Sequence, residues 1–174
     1  KSCVVLNSNL NLIQYWNRGN SDFVYITIYS IYEDHLGRIW IGGYSNSGYK
    51  SCVVLDSNFN LIKYWNKYDS YSNFVYGTIY SIYADHLGRI WIGGDTNSTI
   101  YKSCVVLDSN FNLIQYWDYN NSDFVYSIIY SIYEDHLGRI WIGGNSSSPT
   151  NKSCVVLDSN FNLIKYWNIN DSDS

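Results

Sequence analysis

The stretch IYSIYEDHLGRIWIGG, residues 28–43, decides the fold of this 174-residue chain because it returns twice along the sequence. It recurs at residues 79–94, where Ala84 replaces the Glu, and at residues 129–144. Between these copies lies a second unit of the form KSCVVL(N/D)SN(L/F)NLI(Q/K)YW. Its four copies begin at Lys1, Lys50, Lys102 and Lys152. A repeat period of roughly 50 residues predicts a tandem architecture of stacked units.

Strand-forming residues and turn signals alternate within each unit. Tyr, Ile, Val, Trp and Thr favour strands, and Gly37 after Asp34 suits a tight turn with positive φ. We expect the first strand to alternate, with Tyr29 and Ile31 on one face and Ile28 on the other. The four predicted strands of the first full unit are residues 25–33, 38–42, 51–55 and 60–65.

Four short antiparallel strands in each unit are typical of a β-propeller blade, whose two faces both pack on neighbouring blades. We therefore predict an all-β chain that forms one repeat domain over residues 1–174. Its predicted parts are a half-blade at residues 1–22 and blades at residues 23–73, 74–123 and 124–174. A shift of the blade phase by two strands would instead put the half-blade at the end of the chain. A β-solenoid is the alternative architecture, although its repeats are usually shorter.

The segments DHLGRIWIGG at residues 34–43, 85–94 and 135–144 are similar to the two-component regulator propeller repeat, whose pattern is D-x-x-G-x-[IL]-W-[IL]-G-T. Gly stands in all three segments where that family usually has the final Thr. The resemblance implies blades of four strands and an origin in extracytoplasmic ligand-sensing proteins, hence an extracellular or periplasmic location. It implies no active site. The residues that carry the resemblance are Asp34, Gly37, Trp40, Asp85, Gly88, Trp91, Asp135, Gly138 and Trp141.

The two kinds of unit occur in unequal numbers, three against four, so both ends of the chain carry the same kind. Two ends of one kind do not complement each other, and about 3.5 blades fall below the usual range of four to eight. We therefore expect an open arc whose exposed edges recruit another copy of the chain, in a ring or a filament. Because the sequence begins with Lys in mid-pattern, we expect a processed form or a part of a longer array.

The composition argues against several classes of function. Hydrophobic residues make up 46% of the chain and charged residues 15%, which is typical of an ordered core. The net charge of -4 comes without a basic cluster, so nucleic acid is not an expected partner. No apolar run approaches the roughly 18 residues of a membrane helix, so no membrane span is expected.

Each KSCVVL unit carries one cysteine at the same position. Equivalent positions in neighbouring sheets lie about 10 Å apart, whereas a disulfide needs Cα atoms within roughly 7 Å of each other. We therefore expect free, buried thiols, with interchain disulfides and metal ligation as the alternatives. The four residues are Cys3, Cys52, Cys104 and Cys154.

The tryptophans form two sets. Trp40, Trp91 and Trp141 lie in mid-strand, and we expect them to pack between blades. The others end the last strand of a unit, where a half-exposed indole could stack on a sugar ring or anchor a neighbouring subunit. We prefer the subunit role because an open arc needs partners. These candidate binding residues are Trp16, Trp65, Trp117 and Trp167.

Histidines and paired carboxylates are the candidates for chemistry. Glu33 and Asp34 are adjacent, but the second unit has Ala84 instead of the Glu, so the repeat does not require a glycosidase-like pair. Metal ligands must converge within about 2.0–2.2 Å of one ion, and equivalent residues on separate blades seldom do. The histidines at this shared turn position are His35, His86 and His136. We predict no metal site, no cofactor and no enzyme activity.

The sequence thus favours a non-catalytic structural or binding module of propeller-type blades that self-associates. The alternative is an extracytoplasmic domain that senses or binds carbohydrate, with a glycan as its partner. The strands of the units are nearly identical while the connecting loops differ. Because binding residues concentrate on loops held by a rigid scaffold, any ligand specificity is expected in those loops.

Overall fold

The computed structural model describes residues 3–16, 27–44, 50–66, 77–95, 102–118, 128–145 and 152–168. The strands are β1 (Cys3–Leu6), β2 (Leu12–Trp16), β3 (Thr27–Glu33), β4 (Ile39–Tyr44), β5 (Lys50–Leu55), β6 (Leu61–Asn66), β7 (Thr78–Ala84), β8 (Ile90–Asp95), β9 (Lys102–Leu107), β10 (Leu113–Asp118), β11 (Ile128–Glu134), β12 (Ile140–Asn145), β13 (Lys152–Leu157) and β14 (Leu163–Asn168). The described residues include no helix, and hence none that could cross a membrane, and the all-β prediction is confirmed. The predicted unit boundaries after residues 22, 73 and 123, and the predicted first-strand residues 25 and 26, lie outside the described ranges.

The strands form antiparallel meanders of four, and the same meander occurs three times. Blade 1 consists of β3–β6, blade 2 of β7–β10 and blade 3 of β11–β14. Among the described strands, β1 and β2 pair only with each other and form a half-blade. A single bridge between Ile128 and Asp95 joins blades 2 and 3. We call the first two strands of a blade its inner hairpin and the last two its outer hairpin.

The inner and outer hairpins of every blade pair in one register. In blade 1, Trp40 lies opposite Val54 and Gly42 lies opposite Cys52, and blades 2 and 3 repeat this pairing at the equivalent residues. Identical sequences therefore give identical pairing. Each inner hairpin pairs with the outer hairpin that follows it in the chain, so the half-blade stands at the start.

A β-bulge in the inner strand corrects the predicted alternation of side chains. The pairing of β3 with β4 shifts register between Ile28 and Ser30, which inserts one extra residue into β3. Blades 2 and 3 have the equivalent shift. The prediction that Ile31 faces away from Ile28 is therefore wrong, since their equivalents in blade 2, Ile79 and Ile82, lie in one apolar cluster.

Two kinds of turn close the hairpins. In the inner hairpin, the Gly37 N–H donates to the Asp34 carbonyl at 2.9 Å, and Gly37 takes φ +71 without strain because it lacks a Cβ. The outer turn ends on a bulky residue with positive φ, a conformation that costs a non-glycine residue roughly 1–2 kcal/mol. The sequence pattern did not predict a positive φ at these bulky residues. These residues are Leu10 (φ 62), Phe59 (φ 67), Phe111 (φ 68) and Phe161 (φ 68).

The core lies between consecutive blades. We call the side of a blade that faces the next blade its front face and the opposite side its rear face. The front face of blade 1 contributes Trp40, Cys52, Val54 and Trp65 to one buried cluster. The rear face of blade 2 contributes Ile79, Ile82, Ala84, Ile90, Ile92, Val105 and Leu107. Equivalent residues join blade 2 to blade 3, and the half-blade packs on blade 1 in a smaller cluster.

The blades approach so closely that one position on the front face admits no side chain. A Cβ atom on Gly42 would lie 2.5 Å from Cγ2 of Ile79 in blade 2, and one on Gly93 would collide in the same way with Ile129 of blade 3. On the front face of blade 3, nothing lies within 4 Å of a Cβ built on Gly143. The inner hairpin thus contacts the next blade through bare backbone.

Candidate functional site

The Asp at the start of each inner turn organises the residues around it. The Asp34 carboxylate accepts hydrogen bonds from the backbone N–H groups of Leu36 and Arg38, from Arg38 Nε at 2.7 Å and from Trp40 Nε1 at 2.8 Å. Burial acts to raise the pKa of Asp34, but these hydrogen bonds together outweigh it and lower the pKa. Blades 2 and 3 repeat the arrangement. The carboxylate therefore fixes neighbouring side chains in place.

The bulky residue with positive φ is a plug that fits against two tryptophans of the preceding blade. Trp40 and Trp65 of blade 1 stack with their ring centroids 5.9 Å apart. Phe111 of blade 2 lies 5.6 Å from Trp40 and 5.9 Å from Trp65, centroid to centroid. Phe161 makes the equivalent contacts with blade 2. Burial of the ring compensates for the strained backbone.

Arginines of blades 1 and 2 contact the plug residues Phe111 and Phe161 of the following blade. Arg38 Nη1 donates to the Ser109 carbonyl at 2.7 Å, and its guanidinium lies 4.8 Å from the centroid of the Phe111 ring. Arg89 repeats both contacts with blade 3. Arg139 stands at the same position in blade 3, where its side chain is 38% exposed, against 13% for Arg38.

His35 and His86 each contact the next blade, and His136 lines the cleft between blades 2 and 3. His35 Nε2 lies 2.8 Å from the Asp85 carbonyl oxygen. His86 Nδ1 contacts the Glu134 carboxylate, which also accepts a hydrogen bond from the His86 backbone N–H at 2.8 Å. Ala84 takes the position of that Glu in blade 2, which accounts for the difference between the two junctions. Within the described ranges, no three His, Cys, Asp or Glu side chains are grouped to hold a metal ion.

Two clefts lie between the turns of neighbouring blades, with volumes of about 530 and 200 Å³. The larger is lined in part by Glu134, Asp135 and Arg139. Two of its carboxylates have cationic or imidazole partners, since Asp135 pairs with Arg139 and Glu134 with His86. The third, Asp158, accepts hydrogen bonds from the backbone N–H groups of Asn160 and Asn162 and from the Asn162 side chain. A pair of carboxylates acting as acid and base would need one of them available to a substrate. We therefore do not locate the function in these clefts.

Three of the four outer tryptophans are buried, which corrects their predicted half-exposure. Trp16, Trp65 and Trp117 are 6%, 8% and 8% exposed, because the plug residue of the next blade covers each of them. Trp167, on the front face of blade 3, is partly exposed. The sugar-stacking surface that was the alternative role for this set is therefore not available at the first three positions.

The front face of blade 3 lacks the cover that blades 1 and 2 have. Trp141 and Trp167 stack with centroids 5.8 Å apart, as their equivalents do. Among the described residues, however, no plug residue contacts them. Trp141 is partly exposed, whereas Trp40 and Trp91 are fully buried. This face presents an aromatic slot of the kind that binds a plug elsewhere in the chain.

The rear face of the half-blade is exposed at the other end. Val4 and Leu6 are 46% and 45% exposed, whereas their equivalents in blade 2, Val105 and Leu107, are buried. Leu10, the plug residue of the first unit, is 78% exposed. It keeps its left-handed backbone without the burial that compensates for strain at the phenylalanines.

A row of tyrosines runs along the inner strands. The rings of Tyr29, Tyr80 and Tyr130 follow one another with centroids 4.9 and 5.3 Å apart, and the two outer members are 50% and 51% exposed. Burial raises the pKa of Tyr80, and the negative charge of Asp95 raises it further. The row therefore presents half-exposed aromatic rings at its two ends. We did not predict this surface, because the bulge that aligns these rings is not visible in the residue pattern.

The cysteines are free thiols, but two of them are less buried than expected. Burial strongly raises the pKa of Cys52 and Cys104, which lie between blades. Cys154 and Cys3 are half-buried. Cys154 lies on the front face of blade 3, and Cys3 lies in β1, which among the described strands pairs with β2 alone.

Known proteins contain the same repeat. Residues 22–45, 73–96 and 123–146 match the sequence profile described as the two component regulator propeller. No curated protein matches the chain significantly in sequence.

Solved structures show the same fold. The chain is similar to the extracellular domain assigned to a hybrid two-component system of B. thetaiotaomicron, with a TM-score of 0.64 and 21% identity over 90% of this chain and 19% of that one. For a Bacteroides caccae protein of unknown function the TM-score is 0.56, with 14% identity over 79% of this chain and 48% of that one. For a streptogramin B lyase it is 0.53, with 16% identity over 83% and 41%. The chain thus spans less than half of the length of each of these structures.

Proposed function

We propose that this chain, three segments of which match the two component regulator propeller profile, is a non-catalytic structural and binding module that assembles with copies of itself. One observation carries the proposal. The front face of blade 3 and the rear face of the half-blade are the two sides of a junction that occurs repeatedly inside the chain. Both sides are exposed at the ends.

The internal junctions supply the contacts of the proposed assembly. Leu10 of one copy would insert against Trp141 and Trp167 of another, as Phe111 inserts against Trp40 and Trp65. Arg139 would donate to the carbonyl of Ser8, the equivalent of Ser109. A junction between two different surfaces is heterologous, so it propagates into a filament or closes into a ring.

The plug can be tested by adding a charge where it is most exposed. We expect the mass of the wild-type chain, measured by light scattering or mass photometry, to rise with protein concentration. Leu10→Asp should keep the chain monomeric, because a carboxylate would be desolvated against the indoles. Leu36→Asp is the matched control, since Leu36 is 65% exposed at a turn away from both end faces. A wild-type chain that stays a compact monomer at high concentration would refute self-association.

Carbohydrate binding at the inner tyrosines is the second candidate function. The half-exposed rings of Tyr29 and Tyr130 support it, because aromatic faces stack on the apolar faces of sugars. An extracellular or periplasmic location is part of this proposal, as the B. thetaiotaomicron structure is an extracellular domain. A glycan array tests it: Tyr130→Ala should lose any glycan signal, while Tyr64→Ala, on an outer strand, should keep it. If no glycan on the array binds, carbohydrate binding is refuted and only the proposed structural role remains.

A further inference from the structure

A notch beside the half-blade exposes isoleucines of blade 1 whose equivalents in blades 2 and 3 are buried. Ile31 is 55% exposed, whereas its equivalents Ile82 and Ile132 are 4% and 5% exposed. Ile28 and Ile39 are partly exposed. In blades 2 and 3 these isoleucines form the rear wall against which the inner hairpin of the preceding blade packs. Among the described residues, the half-blade contributes only β1 and β2, and neither forms an inner hairpin in front of blade 1.

The second wall of the notch is the edge of β1. In blades 1, 2 and 3 the equivalent strands, β5, β9 and β13, each pair on this edge with the second strand of an inner hairpin. Among the described strands, β1 pairs with β2 alone. An open strand edge beside exposed apolar side chains is a site where another strand can add.

We propose that this notch binds an inner hairpin of the same repeat, of the form IYSIYEDHLGRIWIGG, supplied from outside residues 1–174. The three internal blades dictate the register of the added strand. Its Trp would lie opposite Val5, and the first Gly of its Ile-Trp-Ile-Gly-Gly segment would lie opposite Cys3, as Trp40 lies opposite Val54 and Gly42 opposite Cys52. The proposal concerns a surface separate from the two end faces and does not depend on self-association.

Polar groups at the notch match the same occupant. The backbone N–H of Ile82 donates to Ser30 Oγ of the preceding inner hairpin at 3.0 Å, and Ile132 donates likewise to Ser81. The N–H of Ile31, at the equivalent position, has no such partner among the described residues. An incoming hairpin carries the Ser that would accept it.

A carboxylate lies at the turn end of the notch. Glu33 is exposed, whereas the equivalent Glu134 is buried and contacts His86 of the preceding inner hairpin. An incoming hairpin would present its own His to Glu33. The notch therefore selects its occupant by apolar shape, by strand register and by two polar contacts.

The test adds a synthetic peptide of residues 128–145, which is one inner hairpin of this chain, to the full chain. We expect saturable binding with one peptide per chain, measured by isothermal titration calorimetry and native mass spectrometry. Ile31→Asp should weaken binding by roughly tenfold or more, because a carboxylate would be desolvated against the incoming strand. Since Ile31 is exposed, this substitution leaves the folded core intact.

Two control variants show whether the peptide occupies the notch. A peptide with Gly143→Val should lose binding, because its side chain would collide with Ile28 as a Cβ on Gly42 would with Ile79. The chain with Leu10→Asp should bind the peptide as the wild type does, whether or not it still self-associates. No binding, more than one peptide per chain, or binding that tolerates both Ile31→Asp and Gly143→Val would overturn the proposal.

Discussion

At the scale of single residues, the Asp that opens each inner turn accepts hydrogen bonds from four groups. Asp34 is buried and joins the turn backbone, the Arg38 guanidinium and the Trp40 indole. The family signature D-x-x-G-x-I-W therefore has a structural basis. The Asp holds the Trp in the rotamer that forms one side of the plug slot.

Replacing this carboxylate tests its role in holding the Trp. We expect Asp34→Asn to lower the free energy of unfolding by about 2–3 kcal/mol, because charge-assisted hydrogen bonds from Arg38 and Trp40 are weakened inside the protein. Asp56→Asn is the matched control, since Asp56 accepts the same kind of backbone hydrogen bonds in an exposed turn. Urea denaturation measures the free energy of unfolding of both variants. Equal losses in Asp34→Asn and Asp56→Asn would contradict the role assigned to Asp34.

The same carboxylates predict a dependence of stability on pH. Hydrogen bonds outweigh burial and lower the folded pKa of Asp34 and Asp135 below the unfolded value of about 4. A depressed pKa stabilises the fold fully above pH 4, and this contribution is lost as the pH falls through the folded pKa. We therefore expect the urea midpoint to fall as the pH drops below about 4. Asp34→Asn should show a shallower fall, and a flat profile in the wild type would refute the linkage.

At the scale of elements, the outer turn has opposite consequences in different blades. Phe111 is strained but packed against two stacked tryptophans, whereas Leu10 is strained and exposed. Phe111→Gly should destabilise the chain by about 3–5 kcal/mol, because the lost packing exceeds the relief of strain. Leu10→Gly should be neutral or stabilising by up to about 1 kcal/mol. Thermal unfolding of the two variants under dilute conditions measures the contrast, and a large loss from Leu10→Gly would contradict it.

The strands and inner turns were predictable because their signals are local. Alternating apolar residues and the Asp-Gly turn set the strand positions, and identical units set identical registers. The bulge in β3 was not predictable, since Tyr29 looks like any alternating strand residue. The plug was also missed, although the sequence held a signal: Phe59, Phe111 and Phe161 follow the same DSN turn and Leu10 follows NSN. Whether an indole is exposed depends on the next blade, which a single strand does not reveal.

At the scale of the whole molecule, the cysteines report which blades are terminal. Cys52 and Cys104 lie between blades, where burial raises the thiol pKa, so they should resist alkylation in the folded chain. Cys3 and Cys154 are half-buried and should react faster, giving two labels per chain before unfolding and four after it. Mass spectrometry after brief maleimide treatment counts the labels on each chain. Four labels on the folded chain would mean that the blades separate readily.

The apolar contacts are equivalent at successive junctions, so nothing within a single blade fixes the number of blades. Removal of residues 74–123 would join blade 1 to blade 3 through apolar surfaces that already fit. His35 would then face Glu134, as His86 does now. The length of such an array can change by whole units in evolution without any new contact having to arise, and stability would change by nearly equal increments.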